Sequence, residues 1–237
     1  MSNKKLLVNG CGLTFGNERI KAWPKILSAV GVPVIDLSGP AVSNQWILDR
    51  TVEYLFTHDD INSVVVQLTN IDKLDVSVDP QRVEDLVGPD SLRNFVWKDI
   101  WPSSGSREHV SKDMYFKYLY SPELITKELA NKCKLLDFWC QQHNITCKIY
   151  QGYPIPWTNR DLTVAGSLIQ NPESSWSQEY VQSPFYVTHD FALSNRVPCI
   201  EYFFYRARKV AEDFGIPVLD KLDNLCNHYK NKHAHNF

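Results

Sequence analysis

Residues 63–68 read Ser-Val-Val-Val-Gln-Leu, a near-continuous apolar run. A half-exposed strand alternates apolar and polar residues, whereas an unbroken run belongs to a strand covered on both faces, the condition of a parallel sheet. Two upstream segments fit the same sheet. Leu6-Leu7-Val8 is short and apolar and leads into Gly10-Cys11-Gly12, and Pro33-Val34-Ile35-Asp36-Leu37 is a second strand. Between them, residues 20–30 carry apolar side chains at helical spacing (Ile20, Trp23, Ile26, Leu27, Val30) and stop at Gly31. Residues 38–44 form a loop whose Ser43 or Asn44 can cap a helix bearing Trp46, Ile47, Val52 and Leu55. Three strand-then-helix units with short connections predict a parallel sheet wound right-handed.

Further along, residues 122–143 return to a helical pattern and residues 145–150 to a strand, a fourth unit. Residues 200–214 read as a helix, residues 216–220 (Ile-Pro-Val-Leu-Asp) as a last strand, and residues 222–237 as a short helix running into a polar tail. Residues 72–122 and 153–198 break the pattern with Pro, Ser and many aromatics and are expected to be insertions with little regular structure. The length of 237 residues accommodates this as a single domain over 1–237.

Composition narrows the function classes. Lys plus Arg total 25 against 27 Asp plus Glu, a net charge of -2, so there is no basic footprint for nucleic acid or an anionic membrane, and neither is expected as a partner. No stretch approaches the ~20 apolar residues that span a bilayer, and the start reads as a strand instead of a signal peptide, so a cytoplasmic location is expected. Six cysteines without CxxC pairs read as free thiols. Cys133, Cys140 and Cys147 recur every seventh residue, which puts two on one helix face and the third on the next strand; core filling, with no metal, is expected. The series Gly10, Gly12, Gly16 misses the G-x-G-x-x-G register by one residue, so no dinucleotide cofactor is expected.

Open parallel sheets carry their sites outside the carboxyl ends of the strands, which directs attention to residues 9–16, 38–44 and 69–73. These loops resemble the SGNH/GDSL hydrolase superfamily. Leu6-Leu7-Val8-Asn9-Gly10-Cys11-Gly12-Leu13-Thr14-Phe15-Gly16 is similar to its first block in the G-C-S-F-T form of bacterial and phage-encoded members. Gly39-Pro40-Ala41-Val42-Ser43-Asn44 resembles the second block, and residues 64–70 resemble the third. The resemblance covers about the first third of the chain. It implies a three-layer α/β/α sandwich around a mostly parallel, SGNH/flavodoxin-like sheet with long aromatic-rich insertions. It also implies an ester-hydrolase site, and a virion location if the chain is phage-encoded.

Carried over position by position, the resemblance assigns the nucleophile to Gly12, which has no side chain to attack with. The oxyanion donors fall on Gly12, Ala41 and Asn70. The family's Asp-x-x-His has no counterpart; Thr188-His189-Asp190-Phe191 is the nearest substitute, with His189 and Asp190 adjacent and so diverging. Cys11 is an alternative nucleophile or a buried structural thiol, and Thr14 and Ser43 are hydroxyls near the cleft or helix caps. Tyr153, Trp157 and Trp176, among Pro, Ser, Asn and Gln, suit either a sugar-stacking face or loop packing. The expected role is therefore a domain of SGNH type without standard serine-esterase activity, acting in binding or assembly. Its expected partner is a glycan, an acyl ester or a protein in an assembly. The alternative is an active ester hydrolase with a rearranged site.

Overall fold

A computed structural model describes residues 5–15, 22–40, 42–72, 120–165, 168–170, 172–173, 176 and 200–233. In chain order the elements are β1 (Lys5–Asn9), α1 (Gly12–Phe15), α2 (Trp23–Ala29), β2 (Val34–Asp36), α3 (Asn44–Thr57) and β3 (Ile61–Leu68). They continue as α4 (Pro122–Gln142), β4 (Thr146–Gln151), α5 (Asn159–Ala165), β5 (Ile169–Gln170), α6 (Ile200–Asp213) and α7 (Leu219–His233). The strands form one five-stranded sheet in the order β2-β1-β3-β4-β5, parallel at every pairing. This is an α/β fold, a parallel sheet flanked by helices.

The two-residue period of the strands divides their side chains between two core clusters. Leu7, Val64, Val66, Leu68 and Ile149 join Ile47, Leu48 and Leu55 of α3 and Leu129, Cys133, Leu136 and Cys140 of α4. Leu6, Val8, Val65 and Tyr150 join Trp23, Ile26 and Leu27 of α2, Phe203, Ala207 and Val210 of α6 and Leu222 of α7. Because β3 contributes to both clusters, it needs apolar residues at consecutive positions, which is the reason for Val64-Val65-Val66. The helix after β1 and the helix after β2 pack in different clusters. The winding therefore reverses at β1, and the carboxyl ends of β1 and β3 are where a fold of this topology places its crevice.

Three sequence expectations change. Residues 216–220 are not a strand: Ile216 donates its N–H to the Ala211 carbonyl (2.8 Å), Leu222 donates to Val218 (2.9 Å), and α7 already begins at Leu219. The run is apolar because this tight connection between α6 and α7 lies against the second cluster, and a run of four apolar residues cannot by itself separate a strand from a packed turn. Residues 153–184 do contain regular structure, namely α5 and β5. Thr158 and Asp161 cap α5 reciprocally, the Asp161 carboxylate accepting from the Thr158 N–H (3.0 Å) and hydroxyl (2.8 Å) while the Thr158 oxygen accepts from the Asp161 N–H (3.2 Å). Finally, α2 begins at Trp23, with Pro24 in its first turn; residues 16–21 lie outside the described residues. The insertion expected at 72–122 also lies almost wholly outside them.

No helix among the described residues is long and apolar enough to cross a membrane.

Candidate functional site

The crevice is built from the turns that follow β1, β2 and β3. Asn9, the last residue of β1, is fully buried and donates through Nδ2 to the Ile47 carbonyl (2.8 Å) and the Thr51 hydroxyl (3.1 Å) of α3. Its Oδ1 accepts the Gly10 N–H (2.8 Å), which turns the chain out of the sheet. Cys11 then accepts from the N–H groups of Thr14 (2.8 Å) and Phe15 (2.9 Å) and closes the single turn of α1. The β2 turn joins this one through Gly39 N–H to the Gly10 carbonyl (3.1 Å).

Gly10 sits where the backbone passes closest to its neighbours. A Cβ there would lie 2.3 Å from Thr14 Oγ1 and 2.9 Å from the Cβ of Gln67. Gly12 is the opposite case: it is exposed, and a Cβ there would meet nothing within 4 Å among the described residues. The position assigned to the nucleophile is thus an open one at the mouth, and glycine is not imposed there by packing.

The β3 turn is fixed from below by Asn44. Its Oδ1 accepts the Thr69 N–H (2.7 Å) and its Nδ2 donates to the Thr69 carbonyl (3.0 Å), a two-point clamp on a buried segment of main chain. Ser43, not Asn44, is the cap of α3, accepting from the Trp46 N–H (3.0 Å). Asn70 follows the clamp, half-buried, with its Oδ1 accepting the Asp72 N–H (3.2 Å); Nδ2 is the group it can offer a ligand. Asp72 in turn accepts from the Tyr120 hydroxyl. Gly12 and Asn70 therefore stand on the turns of two adjacent, hydrogen-bonded strands.

The alternative nucleophiles are placed differently. Cys11 is buried to 1% exposure in the first cluster, and Thr14 is fully buried with its hydroxyl donating to Gln67 Oε1, so Thr14 is neither a cap nor open to a ligand. Tyr153 and Trp157 follow β4, half-buried against the first cluster, Trp157 donating through Nε1 to Gln151 Oε1 (2.8 Å). Trp176 does not present a face: it is 2% exposed in the second cluster, edge-on to Trp23 and under the guanidinium of Arg206 at 4.4 Å. A flat ring that can pack on both sides gains more from the core than from a surface loop. Ala41, His189 and Asp190 lie outside the described residues.

Cys133 and Cys140 line one face of α4 and Cys147 lies on β4, as their spacing implied. Burial pushes the Cys133 thiol up to about 12, and a hydrogen bond with Cys140, together with burial, raises that of Cys147. A buried neutral thiol is a poor nucleophile. Iodoacetamide at pH 8 is expected to leave Cys11 and Cys133 unmodified in the folded protein and to label them only after denaturation, as read by peptide mass spectrometry; rapid native labelling of Cys11 would place its sulfur within reach of a substrate. Among the described residues no cluster of three or more His, Cys, Asp and Glu side chains is arranged to hold a metal ion.

Gln67, Thr69 and Gly152 were not singled out from the sequence, and Asn44 was named there only as a candidate cap of α3. The signal was a glutamine inside an apolar strand, since a polar side chain buried in a parallel sheet needs a partner or a purpose. Comparison with protein-family models and with curated proteins finds no match to this chain.

Proposed function

We propose that the chain is an SGNH-like three-layer α/β/α domain that binds an acyl-bearing carbohydrate or small acyl ester at the mouth of β1 and β3 and does not cleave it. The observation that carries this reading is Gly12. It opens the helical turn directly after β1, at the crevice where winding reverses, and a side chain there would stand free in the mouth. A hydrolase of this architecture needs a nucleophile at that point, and glycine supplies none. The rest of the mouth suits a ligand: the Asn70 amide on one side and the aromatic rings of Tyr153 and Trp157 beyond β4, residue types that hydrogen-bond and stack on sugars.

The second reading, a hydrolase with a rearranged site, depends on Cys11 or Thr14, and the burial of both counts against it.

Titrating the 15N-labelled chain with an O-acetylated monosaccharide tests the proposal. The backbone amides of Gly10, Gly12, Thr69 and Asn70 are expected to shift saturably while no free acetate forms in the same tube. Unmoved amides at all four positions, or steady release of acetate, would overturn it.

A further inference from the structure

The outer face of α3 and α4 carries the most exposed large apolar side chains among the described residues. Phe56, Leu124, Leu135 and Phe138 are each 59–68% exposed, against 38–41% for Phe15 and Tyr205. An isolated exposed leucine is ordinary, but these four share one surface. Leu124, Leu135 and Phe138 stand at positions i, i+11 and i+14 of α4, which 3.6 residues per turn places within about 60° of one another along about 21 Å of helix. Phe56, at the end of α3, joins them through Trp139: the two rings meet edge-on with centroids 5.4 Å apart, and the indole is also stacked on His143 at 3.9 Å. The inner faces of both helices are already filled, by Ile47, Leu48 and Leu55 on α3 and by Leu129, Cys133, Leu136 and Cys140 on α4. The outer apolar side chains therefore add nothing to this core.

We propose that this face pairs with the same face of a second copy of the chain across a two-fold axis. An aromatic side chain covers about 150–250 Å² when fully buried, so two phenylalanines and two leucines exposed to this degree offer roughly 400–500 Å² of apolar surface. A standard interface takes about 800 Å² from each partner, and about 65% of a homodimer interface is apolar, or roughly 500 Å². The four side chains come close to that amount. Charge favours the same occupant. Along α4, Glu123, Glu128 and Asp137 balance Lys127, Lys132 and Lys134, and Lys134 pairs with Asp137 (3.2 Å) while Lys132 lies 4.0 Å from Asp49 of α3. A partner of strong single sign finds no complement on this face, whereas an identical balanced face is not repelled, and a net charge of -2 adds little long-range repulsion between copies. The pairing is independent of the reading of the mouth.

Sedimentation velocity of the purified full chain between about 1 and 100 μM tests the pairing. One chain is expected at the dilute end and two at the concentrated end. A chain that stays single throughout, leaving the face to a different protein, or that grows past two copies overturns the proposal. Leu135→Glu with Phe138→Glu sets charges at the centre of the pairing and is expected to weaken it at least about 100-fold, while the dilute single chain, where both positions are exposed, keeps its fold by circular dichroism. A folded double variant that pairs as tightly as the parent places the contact elsewhere and overturns the proposal. Footprinting of the unaltered chain with hydroxyl radicals needs no variant: oxidation of Phe56, Leu135 and Phe138 is expected to fall at the higher concentration while that of Phe15 and Tyr205 stays constant. Equal oxidation of the three at both concentrations would likewise overturn it.

Discussion

Gly10→Ala is expected to destabilise the protein by about 2–3 kcal/mol, the usual cost of forcing a methyl group into a filled space. The added carbon would overlap Thr14 Oγ1 at 2.3 Å and crowd two further carbons at 2.9 Å, the Cβ atoms of Gln67 and Thr14. None of these is the free end of a long side chain: Thr14 is buried in α1 and Gln67 is anchored in the central strand. Relief must therefore come from moving the β1 turn away from β3, which would open the mouth. In urea the midpoint should fall with little change in slope, and the melting temperature should drop by roughly 4–12 °C for a chain of this length. Gly12→Ala, two residues on, should change stability by less than about 0.5 kcal/mol, as an exposed substitution does. Equal effects at the two glycines would contradict the geometry of this turn.

The second large effect is expected from Asn44→Ala. The substitution removes both hydrogen bonds to Thr69 and leaves a buried N–H and a buried carbonyl without partners, each costing about 1–3 kcal/mol, so a loss of roughly 2–5 kcal/mol follows. Asn44→Asp keeps the acceptor for the Thr69 N–H but turns a second oxygen toward the Thr69 carbonyl, and should cost at least as much. Hydrogen exchange at the Thr69 amide provides a local reading, because a turn freed from its clamp opens without global unfolding. Rapid exchange of that amide in the unaltered protein would mean that the clamp does not hold.

The sheet was legible because its information is local. Leu6-Leu7-Val8 and Val64-Val65-Val66 are buried in both core clusters, and such strands cannot carry polar residues freely, while Val34-Ile35 of the edge strand is half-buried with one residue packed on each cluster. Helix α4 was legible as a helix, yet not its inner face: Leu124, Leu135 and Phe138 contribute to the apolar count but are 59–68% exposed, while Cys133 and Cys140 are buried. Hydrophobicity alone does not say which apolar residues a helix turns inward. The strand expected at 216–220 failed for a related reason, since its burial against α6 and α7 is a tertiary fact. In the candidate site, Gly12 and Asn70 could be named from the sequence because they fall in the loops after β1 and β3, beyond the strand ends where such folds place ligands. The contacts of Asn44, Gln67 and Gly152 were not legible, because they join segments 25 to 85 residues apart.

Hydrolysis of aryl acetate and butyrate esters by the purified chain beside its Gly12→Ser form tests most directly whether the missing side chain at position 12 is what keeps this mouth from cleaving esters. Space around Gly12 allows the substitution without disturbing the fold. The expected result is no turnover by the unaltered chain and measurable turnover by Gly12→Ser, since the oxyanion donors proposed at positions 12, 41 and 70 would retain some catalytic power even with other members of a triad missing. Turnover by the unaltered chain at the rate of its Gly12→Ser form would contradict it.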